Sequence, residues 1–152
     1  MKTTLLIHNL NETEALGRKL GELLFPGAVL ALVGTLGAGK THLTRAIAEG
    51  LRVDHPEAVN SPTFVLIQEY DGPIPLYHFD TYRLPDARAF AALGAEEYLG
   101  GNGVCIIEWA DKVQEFLPSE YLKITLNIVD QDTRQMEFEA VGTRYEAIIS
   151  LL

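Results

Sequence analysis

At 152 residues, 47% hydrophobic and 22% charged, the chain has the size and composition of one globular domain over 1–152, and no segment is poor enough in apolar residues to be read as disordered. A formal net charge of -9 argues against a broad nucleic-acid-binding face, because such faces neutralise phosphates with clustered Lys and Arg. The apolar run Ala28 to Val33 is too short to span a bilayer, the opening MKTTLLIHNL breaks at His8, and the single Cys105 leaves no disulfide framework or zinc spacing, so a cytoplasmic protein without membrane association is expected.

Along the chain, a short apolar segment at Leu5 to Ile7 precedes a helix capped by Asn11 or Thr13, with Leu16, Leu20, Leu23 and Leu24 at helical spacing, and Pro26-Gly27 ends it. Ala28 to Val33 reads as a continuous buried strand, then a Gly-rich turn, then a helix from about Lys40 to Leu51. Phe64 to Tyr70, Leu76 to Phe79 and Val104 to Ile107 suggest further strands, with a helical stretch around Asp86 to Tyr98. Leu122 to Val129 and Gln135 to Val141 alternate apolar and polar residues around Asp130-Gln131-Asp132, the pattern of an antiparallel pair on the sheet edge. The expected fold is an α/β P-loop sandwich with a mainly parallel central sheet.

Gly34-Thr35-Leu36-Gly37-Ala38-Gly39-Lys40-Thr41 fits G-x-x-x-x-G-K-[ST] between a buried strand and a helix, the context that this phosphate-binding motif requires. Glycines let the backbone curl so that successive N–H groups point at phosphates, and the helix N-terminus adds a favourable dipole. Lys40 reaches the β and γ phosphates, and Thr41 offers its hydroxyl to Mg²⁺. ATP and Mg²⁺ are the expected cofactors.

Such a loop needs a carboxylate at a neighbouring strand end, since Mg²⁺ requires hard oxygen ligands. Glu108 follows Val104 to Ile107 and Asp80 follows Leu76 to Phe79; the alternatives are an exposed or capping acid for Glu108 and a turn-starting acid for Asp80. Ser61-Pro62-Thr63 lies on the connection after the P-loop helix, where a γ-phosphate-sensing hydroxyl or a plain turn fits equally well. Trp109 reads as core packing on residue type alone. Arg83 reads as a solvated surface group, and His42, His55 and His78 read as structural.

GTLGAGKT at 34–41, SPTF at 61–64, YHFDTYRL at 77–84 and CIIEW at 105–109, in this order and spacing, resemble the TsaE family of bacterial P-loop ATPases. The resemblance runs from the first helix to about residue 112. It implies a part in making threonylcarbamoyladenosine next to the anticodon of tRNA, together with TsaB and TsaD, with tRNA met only through that complex. It also implies that Leu36, Gly37, Ala38, Gly39, Lys40 and Thr41 wrap the phosphates and that Thr41 and Glu108 hold Mg²⁺. Lys40, Asp80 and Glu108 become the catalytic candidates, with Asp80 beside the nucleotide. Trp109 becomes a site residue rather than packing, and Leu10 and Thr133 come close to the nucleotide. Three positions depart from the family pattern: Thr35 stands where an acid is usual, His42 replaces a hydroxyl residue, and Ala110 replaces a proline.

Two rival functions share the motif. A small-molecule kinase would need an acceptor pocket and an arginine-bearing lid, and the arginines of this chain do not cluster over the loop. A nucleotide-dependent binding module would need no hydrolysis. A GTPase would carry an N-K-x-D string, which does not occur.

Overall fold

The computed structural model describes residues 1–35, 37–60, 62 and 65–152. Its strands are β1 (Lys2–Ile7), β2 (Val29–Gly34), β3 (Ile67–Tyr70), β4 (Leu76–Asp80), β5 (Val104–Glu108), β6 (Tyr121–Ile128) and β7 (Arg134–Val141), and its helices are α1 (Leu10–Leu23), α2 (Lys40–Leu51), α3 (Ala87–Ala92), α4 (Ala95–Leu99) and α5 (Thr143–Leu151). The strands form one seven-stranded sheet in the order β1-β7-β6-β2-β5-β4-β3. Its centre is parallel, with β2 pairing β5 and β6 and β5 pairing β4, while β3, β7 and β1 join antiparallel at the two ends.

Burial explains why the strands read differently in sequence. β2 and β5 are covered on both faces: Leu30, Leu32 and Ile106 pack into the cluster under α1 and α2, while Val29, Ala31 and Ile107 pack with Phe79 and Phe90 on the opposite side. A strand buried on both faces gains about 1.5–3 kcal/mol for each large aliphatic side chain and has no polar face to show, hence the unbroken apolar runs. β6 buries only Leu122, Ile124 and Leu126, and β7 only Met136, Phe138 and Ala140, which gives the alternation.

Several expectations are corrected here. Asn9, not Asn11 or Thr13, caps α1, its side chain accepting from the Glu12 N–H at 2.9 Å; the helix begins two residues earlier because Thr13 is already a buried packing residue. The stretch Asp86 to Tyr98 is two short helices, broken where Gly94 takes φ 80. Asp86 caps the first of them. The third strand starts at Ile67, after Leu66 at φ 76; Phe64 lies outside the described residues, as do Leu36, Ser61 and Thr63. The β6–β7 pair does not form the edge, because β1 adds outside β7. The chain also ends in helix α5, whose Tyr145 hydroxyl accepts the Val29 N–H at 2.9 Å and ties the helix to the start of β2.

The loop between β2 and α2 is held from both sides. A Cβ on Gly34 would lie 2.7 Å from the Leu126 carbonyl oxygen, so only glycine lets β2 end this close to β6. On the other flank, α1 and α2 cross at glycines: a Cβ on Gly21 would meet the Ile47 carbonyl at 2.3 Å, and one on Gly50 the Arg18 carbonyl at 2.1 Å. This close crossing places the first turn of α1 beside the first turn of α2.

Candidate functional site

The site lies at the carboxyl ends of the parallel strands, where open α/β sheets present their loops. Gly37 at φ 82 and Gly39 at φ 105 occupy left-handed backbone, and a Cβ on either would point into open space, so these glycines serve backbone curvature and approach rather than packing. Ala38 is buried and its N–H bonds the Thr35 carbonyl at 3.1 Å. Gly39 caps α2 without a side-chain hydrogen bond, and the first helical bond runs from Leu43 N–H to Gly39 carbonyl at 3.0 Å. The preceding N–H groups of the first turn have no intrahelical partner, the arrangement that receives anions.

Lys40 is only 5% exposed. Its ammonium donates to the carbonyls of Gly34 at 2.7 Å and Thr35 at 2.9 Å, and it sits 4.1 Å from the centroid of the Trp109 ring. Burial holds its pKa below the ordinary lysine range, and the charges of Glu108, Asp80 and Asp111 oppose that shift. Trp109 stands in left-handed backbone at φ 60, and its ring meets that of Tyr82 at 4.8 Å between centroids. The turn is fastened to the end of β4 by Thr81, whose hydroxyl donates to the carbonyls of Glu108 at 3.0 Å and Trp109 at 2.7 Å.

Parallel pairing sets Asp80 directly opposite Glu108, and both are 2% exposed. Asp80 accepts the Tyr82 N–H through Oδ1 at 2.9 Å, the bond that the turn-starting alternative calls for, and its charge acts on Lys40. Glu108 is the last residue of β5 and no exposed acid. Its Oε2 lies 2.5 Å from Nε2 of His78, which is fully buried. Two buried carboxylates at adjacent strand ends are hard oxygen donors, which suit Mg²⁺ rather than a softer cation.

A cleft of about 250 Å³ adjoins the loop, lined by Asn9, Leu10, Thr13, Gly37, Ala38, Gly39, His42, Gln131, Asp132 and Arg134. Leu10 therefore lines the cleft beside the loop. Thr133 is not among the lining residues, although its neighbours on both sides are. It belongs to the β6–β7 turn, where Asp130 Oδ1 accepts the N–H groups of Asp132 at 3.0 Å and Thr133 at 2.8 Å; these bonds hold the Asp130 carboxyl below the usual range. Arg134 was missed in the sequence, and so were Asn9 and His78. Arg134 Nε donates to the Ala38 carbonyl at 3.2 Å, tying the turn to the phosphate loop. Nothing in its local pattern marks that contact, which spans most of the chain. His78 could have been found: it shares a strand face with Asp80, two residues on.

Of the departures, Thr35 is exposed and lends only its carbonyl to Lys40, His42 faces the cleft, and Ala110 is buried. Cys105 is a buried free thiol, and no helix among the described residues is long and apolar enough to cross a membrane.

The profile of the family described as threonylcarbamoyl adenosine biosynthesis protein TsaE matches residues 7–136. The chain is 47% identical over 141 residues to the tRNA threonylcarbamoyladenosine biosynthesis protein TsaE of Bacillus subtilis, covering 92% of this chain and 87% of that protein. It is 39% identical over 125 residues to the protein of the same name from Treponema pallidum, covering 82% and 91%. The crystal structure of YdiB from Bacillus subtilis superposes with a TM-score of 0.82 at 39% identity, over 99% of this chain and 93% of that one. With a matching fold and this agreement over most of its length, the chain belongs to the TsaE family.

Proposed function

We propose that the chain binds ATP and Mg²⁺ and hydrolyses ATP slowly, as a component of the machinery that makes threonylcarbamoyladenosine next to the anticodon of tRNA, acting with TsaB and TsaD. The relatives' names support the tRNA-modification role. The observation that carries the ATPase reading is the placement of Lys40 between two loop carbonyls, the Trp109 ring and the Asp80–Glu108 pair. An incoming triphosphate offers Lys40 stronger, charge-assisted partners than neutral carbonyls. The free N–H groups of the first turn of α2 hold phosphate oxygens, Thr41 and Glu108 hold Mg²⁺, and Asp80 stands beside the reacting phosphate. Bound Mg²⁺ supplies charge neutralisation on the β and γ phosphates. Leu10 and the β6–β7 turn line the cleft that takes the rest of the nucleotide. Thr63, outside the described residues, is the candidate γ-phosphate sensor.

The decisive experiment measures ATP turnover by the purified chain alone and then with TsaB, TsaD and tRNA. Slow turnover that rises on mixing supports the reading. Phosphorylation of a small-molecule acceptor, or full partner activity with a non-hydrolysable ATP analogue, would replace it with a kinase or a binding module.

A further inference from the structure

We propose that His78 is a positioning residue for Glu108, fixing the carboxylate that receives Mg²⁺; the inference rests on the reading of Glu108 as a magnesium ligand. His78 and Asp80 lie on one face of β4, and the parallel register sets them opposite Ile106 and Glu108. Leu76 and Ile106, of the same parity, pack into the cluster under α2, so this is the face that carries the phosphate loop. From there the imidazole reaches diagonally to Glu108 Oε2.

The ring is fully buried, and its Nδ1 has no hydrogen-bond partner among the described residues. A carboxylate accepts, so Nε2 carries the donated proton, and burying Nδ1 without a partner among the described residues costs free energy. A leucine would fill the same space without that cost. What the imidazole provides is one directed bond to one oxygen of Glu108, leaving the remaining lone pairs to the cation. Outer partners of this kind orient metal-binding carboxylates and tune their affinity.

The test uses the full chain, ATP and MgCl₂. ATP binding is measured by calorimetry across a magnesium series and in EDTA for the wild type, His78→Leu, His78→Gln and Glu108→Gln. The magnesium midpoint should rise about tenfold in His78→Leu, while His78→Gln, which keeps an N–H near the Nε2 position, should stay within about threefold of wild type. ATP affinity in EDTA should be unchanged in both, which a merely packing role would not predict. An unshifted midpoint in His78→Leu alongside a shifted one in Glu108→Gln overturns the positioning role and leaves the ligand assignment standing. An unshifted midpoint in Glu108→Gln overturns the ligand assignment and the inference with it. Independently of any variant's folding, ¹⁵N spectra of the wild-type imidazole should show the proton on Nε2, and a proton on Nδ1 alone overturns the proposal.

Discussion

The Lys40 ammonium rests 4.1 Å from the centroid of the Trp109 ring, so the motif lysine and the chain's single tryptophan form one cation–π contact inside the site. If ATP draws Lys40 towards phosphates, the indole loses its cation and its emission must change. Titrating ATP and Mg²⁺ into the wild type should give a saturable shift in tryptophan fluorescence. Lys40→Ala should give no shift over the same range and reduce turnover at least about 100-fold, because the phosphate cluster loses its compensating cation, while the fold survives. An unchanged ATPase rate in that variant contradicts the P-loop reading.

Asp80 joins a structural bond to its site position, and substitutions can separate the two. Asp80→Ala removes the acceptor for the Tyr82 N–H and should cost about 1.5–3 kcal/mol in urea unfolding. Asp80→Asn keeps an acceptor oxygen and should cost less, yet both variants should lose most of their ATP turnover. A fully active Asp80→Asn would reduce this residue to a turn former.

The α1–α2 crossing leaves no room for a methyl group. Gly50→Ala would drive a Cβ against the Arg18 backbone carbonyl, which cannot rotate away. The expected cost is about 3 kcal/mol, at the upper end of ordinary overpacking. Separation of the helices also moves Leu10 relative to the first turn of α2, so nucleotide affinity should fall with stability. Stability equal to wild type in thermal unfolding would show that the crossing relaxes freely.

Cys105 supplies a pH dependence with a definite sign. Burial pushes its thiol up to about 12, well above the unfolded value. Between the two values the native state holds the proton that the unfolded chain loses. The stabilisation is thus complete below the unfolded pKa and drains away as pH rises towards 12, with a slope of at most about 1.4 kcal/mol per pH unit. Relative to wild type, Cys105→Ala should lose less stability between pH 8 and 10.5. Alkylation of the native thiol at pH 8 should proceed only as fast as unfolding exposes it.

How much of this was legible depended on whether a residue's role was local. The β2–loop–α2 unit could be read because its apolar run, glycines, Lys40 and Thr41 are contiguous and each answers a local requirement. Glu108 and Asp80 could be named because each follows an apolar run, although only the β4–β5 register makes them partners. Trp109 needed the family resemblance: residue type alone says packing, and its contact with Lys40 crosses the sheet end. Helix α5 escaped notice because, although Tyr145, Ile148 and Ile149 stand at helical spacing, nothing local shows what they pack against, and the bond that docks the helix, from the Val29 N–H to the Tyr145 hydroxyl, is tertiary. The edge strand β1 escaped for a related reason, since Leu5 to Ile7 is too short a signal until β7 offers a partner. His78 has no metal-ligand spacing to mark it in the sequence, and its bond runs instead to a carboxylate on the neighbouring strand.

The chain carries a net charge of -9, with 12 Lys and Arg against 21 Asp and Glu. Non-specific affinity for nucleic acid comes mostly from neutralising phosphates and so releasing the nucleic acid's counterions, and an acidic surface neutralises few phosphates. The isolated chain should therefore bind tRNA with a dissociation constant on the order of 100 μM or weaker at physiological salt. Under the proposed function, any effect on tRNA should travel through the partner proteins, with ATP binding around Asp80 expected to change the surface offered to them and hydrolysis to remove that state. In reconstituted modification assays, Asp80→Ala should still co-purify with TsaB and TsaD yet fail to sustain repeated rounds. Tight, salt-sensitive tRNA binding by the chain alone would move the contact onto this protein, and multiple turnovers with Asp80→Ala would remove hydrolysis from the cycle.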